Sequence, residues 1–147
     1  KGLPRALHEW TPAERIAFEQ FATPNALAEA LRDPDQKAAA EQAMRSIGHV
    51  RSSYWDWFIS PDYLSKHSGF ILWIGDQFLL DDDFPELLSK LGLPDSIELP
   101  RDPVKAHKNP DDLDRQLSDQ AIQNLKTWYA EDFKAYSQLW AKRGTLR

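Results

Sequence analysis

Arg101, Lys105, His107 and Lys108 stand close together in a stretch that is otherwise acidic. Residues 76–119 carry 5 basic and 12 acidic side chains, a net of -7, so a cluster of cations stands out against it. Such an island can hold a small anion even in an acidic protein; the alternative is a solvated loop. A second candidate lies further forward, where His49 and Arg51 precede Tyr54-Trp55-Asp56-Trp57-Phe58. Four aromatics in five residues are too many for one helical stripe, so some face a cleft or a second core. In a cleft, His49 is a candidate general base and Arg51 a partner for an acidic substrate. Read structurally, His49 is a hydrogen-bonded histidine, Arg51 pairs with Asp56, and Tyr54, Trp55 and Trp57 pack in the core. His8 and His67 lie in unrelated contexts. No spacing of His, Asp and Glu suits a metal, and Asp81–Asp83 are adjacent where a calcium loop needs alternate positions.

Proline and capping signals mark out the elements that must position these residues. Thr11-Pro12-Ala13-Glu14 is a capping box opening a helix to about Phe21. Thr23-Pro24 opens a second helix and Asp33-Pro34 a third, whose Ala38–Ala40, Ala43, Met44 and Ile47 suit close packing. Gly48 breaks or bends it, and Ser60-Pro61 starts a helical turn through Leu64. Phe70–Ile74 is apolar on both faces, as a strand buried in a parallel sheet would be, and is the principal strand expected. Asp81–Asp83 place negative charge at the start of a helix that ends at Leu91-Gly92. Residues 94–116 read as a long ordered loop with a short strand near Ile97–Leu99. Ser118 caps a last helix ending at Gly144, with Ile122, Leu125, Tyr129, Phe133, Tyr136 and Trp140 along one core-facing stripe.

The chain has 147 residues, 41% hydrophobic and 28% charged, which reads as one globular helical unit over 1–147. With no cysteine there is no disulfide scaffold, thiol nucleophile, thiolate zinc site or iron–sulfur cluster. A net charge of -5 argues against nucleic acid as partner. No apolar run approaches the roughly 20 residues of a membrane span. One buried-type strand leaves backbone groups that need partners, so the expectation is a missing N-terminal half or a partner chain completing the sheet. The opening Lys1-Gly2, without methionine, fits either removal of something or a piece of a longer protein.

Ile74-Gly75-Asp76-Gln77-Phe78-Leu79-Leu80-Asp81-Asp82-Asp83-Phe84-Pro85-Glu86-Leu87 resembles the late strand-plus-helix of the sulfotransferase family. Leu91-Gly92-Leu93-Pro94 is similar to the step that follows, and Ala106-His107-Lys108-Asn109-Pro110 to the family's late basic loop. Leu117-Ser118 through Trp128-Tyr129-Ala130-Glu131-Asp132-Phe133-Lys134-Ala135-Tyr136 resembles its closing helix. Ile47-Gly48-His49-Val50-Arg51-Ser52-Ser53-Tyr54 is similar to the helical region after the 3′-phosphate site. The order and spacing agree from about residue 47 to 140.

The resemblance implies sulfuryl transfer from 3′-phosphoadenosine 5′-phosphosulfate (PAPS) to a hydroxyl- or amine-bearing acceptor. It implies a mainly α chain with one principal β-strand, the C-terminal portion of a phosphate-loop-like α/β sulfotransferase fold. Lys105, His107 and Lys108 would close over the nucleotide's phosphates. His49, Arg51, Tyr54 and Trp55 would line the acceptor side; no residue is assigned as the catalytic base. The chain departs from the family in having no Gly-rich Lys/Ser/Thr phosphate loop. Asp76 also stands where the family commonly has Arg, and Phe78 where it has Glu. The chain alone is therefore expected to be inactive, with PAPS bound only in a complete parent protein. The alternatives are an α-rich protein-binding module and a degenerate sulfotransferase-like protein.

Overall fold

Thr11 and Glu14 start the first helix as the capping box requires. Thr11 Oγ1 accepts from the Glu14 N–H at 3.2 Å, and Glu14 Oε2 accepts from the Thr11 N–H at 3.0 Å. The structure, a computed structural model, describes residues 9–101 and 116–146. In chain order the helices among these are α1 (Pro12–Gln20), α2 (Pro24–Ala30), α3 (Lys37–Ser46), α4 (Gly48–Arg51), α5 (Trp55–Phe58), α6 (Pro61–His67), α7 (Leu80–Leu91), α8 (Asp119–Trp128) and α9 (Ala130–Leu146). The chain is mainly helical, and no described residue lies in a strand. The described residues group into two compact units, 9–57 with 116–133 and 58–101 with 134–146.

The first unit is built on small residues. Ala40, Ala43 and Met44 on α3 are at most 2% exposed, and they meet Ala17, Phe21, Leu27, Ala30 and Leu31 from α1, α2 and their ends. Alanine faces let helix backbones approach closely, which suits α3's packing on α1 and α2. Leu125, Trp128 and Tyr129 pack against this core from the α8 side. Thr23 caps α2 by accepting from the Ala26 N–H at 3.1 Å. Asp33-Pro34 does not open α3 directly. Asp33 instead folds a turn, accepting the Asp35 N–H at 2.8 Å and the Gln36 side chain at 3.1 Å, and the helix begins at Lys37. Asn124, 3% exposed, donates to the carbonyls of Ala28 at 2.9 Å and Glu29 at 3.1 Å, groups left over at the end of α2.

The second unit corrects the expected strand. Residues 68–70 form a 3₁₀ turn; 71–76 carry no helix, turn or bend, with extended dihedrals at Ile71 and Asp76 and no ladder partner among the described residues. The physical reason is that an extended run becomes a strand only when a neighbouring backbone takes up its N–H and C=O groups. Here the Ile74 carbonyl accepts from the Arg143 guanidinium and the Asp76 N–H donates to the Asp83 carboxylate. The short strand expected near Ile97–Leu99 is likewise irregular chain. Glycine has two distinct jobs. Gly92 sits at φ 66 and ends α7 in the left-handed cap, its N–H returning to the carbonyls of Leu88 and Ser89. At Gly75 a Cβ would stand 2.1 Å from the Trp73 indole, which lies over the glycine.

The stripe expected on one closing helix is divided between two. Tyr129, at φ -98 and ψ 25, interrupts the helical geometry, so α8 stops at Trp128 and α9 starts at Ala130. Ile122, Leu125 and Tyr129 are partly buried, but Phe133, Tyr136 and Trp140 are 40–50% exposed. The face α9 buries is that of Ala135 and Arg143 instead, and the helix runs through Gly144 to Leu146.

Candidate functional site

The expected acceptor-side residues lie on the first unit's segment 48–57. The buried Glu14 carboxylate sets where that segment starts, because Glu14 Oε1 accepts from the Gly48 N–H at 3.2 Å at the first residue of α4. His49 and Arg51 sit on this single turn and are exposed. Among the described residues neither side chain makes a hydrogen bond or an ion pair. Asp56, the expected partner of Arg51, accepts from the Ser53 N–H at 2.8 Å. Ser53 Oγ accepts from the Trp55 N–H at 3.1 Å, so Ser53 and Asp56 fix the turn into α5 between them.

Two distant groups pin the same segment. The Tyr129 hydroxyl donates to the Val50 carbonyl at 2.6 Å, and the Tyr54 N–H donates to Asp132 Oδ1 at 2.6 Å. Burial, and secondarily the Asp132 charge, raises the Tyr129 hydroxyl above its ordinary 10.0. It therefore remains a proton donor throughout the neutral range. Trp55 is half-buried, Tyr54 is 41% exposed and Trp57 is 80% exposed. Chemically, this segment offers an imidazole, a guanidinium and aromatic faces from one short stretch of pinned backbone. That suits holding an anionic or flat group, with His49 available to take a proton.

The expected nucleotide contacts Lys105, His107 and Lys108 lie outside the described residues. Arg101, at the edge of that island, is exposed, with Nε 4.0 Å from Glu98 Oε2. With both side chains largely in water, such a pair contributes little.

The second unit holds two arrangements that sequence reasoning missed. Asp83 is 2% exposed and pairs with Arg143, which is 7% exposed. The Asp83 carboxylate also accepts from the Asp76 N–H at 2.8 Å, and Arg143 Nε donates to the Ile74 carbonyl at 3.2 Å. The guanidinium further lies 4.6 Å from the Trp140 ring centroid. One buried ion pair thus ties the extended run to α7 and α9. Asp83 was hidden in a run of three aspartates, and its spacing of four residues from Leu87 was the only hint that it faces inward. The other arrangement is a row of rings, with Tyr63 and His67 stacked at 4.0 Å and Phe70 beyond at 6.3 Å. His67 Nδ1 lies 2.9 Å from the Tyr63 carbonyl.

Among the described residues no group of three or more His, Asp or Glu side chains is placed to hold a metal ion. None of the described helices is long and apolar enough to cross a membrane. No protein-family model, curated protein or solved structure matches this chain.

Proposed function

We propose that these residues form the C-terminal portion of a sulfotransferase, which moves a sulfuryl group from PAPS to a hydroxyl or amine on a phosphate-loop α/β fold. One observation carries the reading. The extended run, the Asp76 turn, α7 with its Leu91-Gly92-Leu93-Pro94 step and the end of α9 belong to one compact unit. The Asp83–Arg143 pair links that run to both helices. The run from Ile74, the Asp76 turn, α7 and its Leu91-Gly92-Leu93-Pro94 step are segments in which the family resemblance lies, so their packing in one unit supports reading them as one ordered motif. Lys105, His107 and Lys108 are assigned to the nucleotide's phosphates, and His49, Arg51, Tyr54 and Trp55 to the acceptor. Cationic groups at the phosphosulfate would offset the charge that develops on the bridging oxygen as the sulfuryl group leaves.

The sequence holds no Gly-rich phosphate loop, so in this reading another segment or chain supplies the cradle. The test is a transfer assay with PAPS and a panel of hydroxyl and amine acceptors. It is run on the 147-residue chain and on a longer polypeptide that carries a phosphate loop ahead of it. Transfer by the longer polypeptide alone, with 3′-phosphoadenosine 5′-phosphate binding it in calorimetry, is the expected result. A longer polypeptide that binds no nucleotide overturns the reading.

A protein-binding module is the second reading. The second unit favours it by exposing Phe78 at 94%, Phe70 at 86% and Ile59 at 67%. Partner binding indifferent to added nucleotide would select it.

A further inference from the structure

In extended backbone, successive residues direct their N–H and C=O groups to opposite edges. The even-numbered residues of the 71–76 run are turned toward the Asp83–Arg143 pair, since it takes the Ile74 carbonyl and the Asp76 N–H. The odd-numbered residues therefore form the other edge. On that edge the Ile71 N–H is used by the Ser68 carbonyl at 3.2 Å. Among the described residues nothing bonds to the N–H groups of Trp73 and Gly75 or to the carbonyls of Ile71 and Trp73. Unpaired donors and acceptors beside exposed apolar side chains, here Phe70 and Leu72, are a template for another strand.

We infer that a second copy of this chain pairs along this edge, antiparallel, about a two-fold axis at Trp73. The donor pattern is self-complementary. Trp73 of each copy exchanges both of its hydrogen bonds with Trp73 of the other, and each Gly75 N–H meets the Ile71 carbonyl opposite. That makes four bonds from groups that are otherwise unpaired. Leu72 lies opposite Ile74 of the second copy, an apolar cross-strand pair.

Charge selects the direction. Lys66 is exposed just before the run, and Asp81 and Asp82 are exposed just after it. Antiparallel pairing brings the lysine end of one copy to the aspartate end of the other, twice. Parallel pairing would set like ends together. The inference stands apart from the sulfuryl-transfer reading, because it uses only the backbone pattern and these charges.

The experiment is sedimentation equilibrium of the full chain across a concentration series, with amide hydrogen exchange measured at each end of the series. The expected result is a monomer–dimer equilibrium in which Trp73 and Gly75 amides gain protection at high concentration while Leu72 does not. Lys66→Glu should weaken dimerisation about fivefold, and adding Asp81→Lys and Asp82→Lys should restore it. Trp73→Pro, which removes the central donor, should abolish it. A chain that stays monomeric throughout the series, with or without an unrelated protein bound at this edge, overturns the inference. So does a dimer in which the Trp73 and Gly75 amides exchange as fast as in the monomer.

Discussion

At Gly75 the constraint is local and steric. The rigid indole of Trp73 occupies the space a Cβ would need, the closest approach being 2.1 Å, so the glycine is required by its neighbour two residues back. Gly75→Ala should displace the Trp73 ring, shift tryptophan emission and lower the melting temperature; unchanged emission would show the ring accommodates the methyl group. The Asp83–Arg143 pair makes a second demand. Arg143→Met leaves the buried Asp83 carboxylate without its guanidinium partner. Removing one partner of such a pair costs about 3–5 kcal/mol, whereas replacing both by apolar groups costs far less. Urea titration of Arg143→Met, Asp83→Leu and the double variant should therefore show strong coupling, with the double variant more stable than the sum of the singles predicts. Additive losses would mean the pair contributes little beyond its packing.

Among the elements, α2 and the start of α8 meet through a carboxylate. Ser118 Oγ donates to Glu29 Oε1 at 2.6 Å, and the Ser118 N–H donates to Asn25 Oδ1 at 2.7 Å. Hydrogen bonds from Ser118, then Asn25, hold the Glu29 carboxyl below its ordinary 4.5. A depressed carboxylate lends its stability fully above 4.5 and loses it as the pH falls through the lower folded value. Melting temperatures of the native chain and Glu29→Gln should thus differ above pH 4.5 and converge as the pH falls below it; a constant offset would place the effect elsewhere. Tyr129 carries the opposite sign. Its raised value means stability held below 10.0 and lost as the pH rises through the folded value. Tyr129→Phe should cost about 1 kcal/mol at neutral pH and flatten the alkaline decline in melting temperature. Helix starts at Thr11, Thr23, Ser60 and Ser118 were legible because a cap is a local event within four residues. The Phe70–Ile74 strand was not, because strand formation depends on a neighbour and composition reports only burial and shape. The Tyr129 break escaped notice for a related reason: the apolar spacing continues across it, while the group its hydroxyl bonds, the Val50 carbonyl, is far away in sequence.

For the molecule as a whole, acidity is the background against which the basic island must work. The candidate site was readable only as residue types, since His49, Arg51 and Tyr54 are placed by Glu14, Tyr129 and Asp132, none of which their own motif names. The island is the reverse case, three cationic or titratable groups within four residues, visible without any fold. Its contribution follows from environment. A cation over a cleft that excludes water acts through a lower effective dielectric, whereas one on an open surface is screened within about 8–10 Å at ordinary salt. Charge-assisted contacts of the first kind contribute roughly 1.5–3 kcal/mol each, which is about ten- to a hundredfold in affinity. In a longer polypeptide that binds 3′-phosphoadenosine 5′-phosphate, Lys108→Ala should therefore weaken binding by about that factor, while Lys142→Ala, in the basic C-terminal stretch, should change it by less than about twofold. Titrating both variants at low and at high ionic strength separates the two environments. A Lys108 effect that persists in high salt places the lysine against the phosphates. Equal small losses for both variants, vanishing together with added salt, would make the island a solvated loop whose charge serves no ligand.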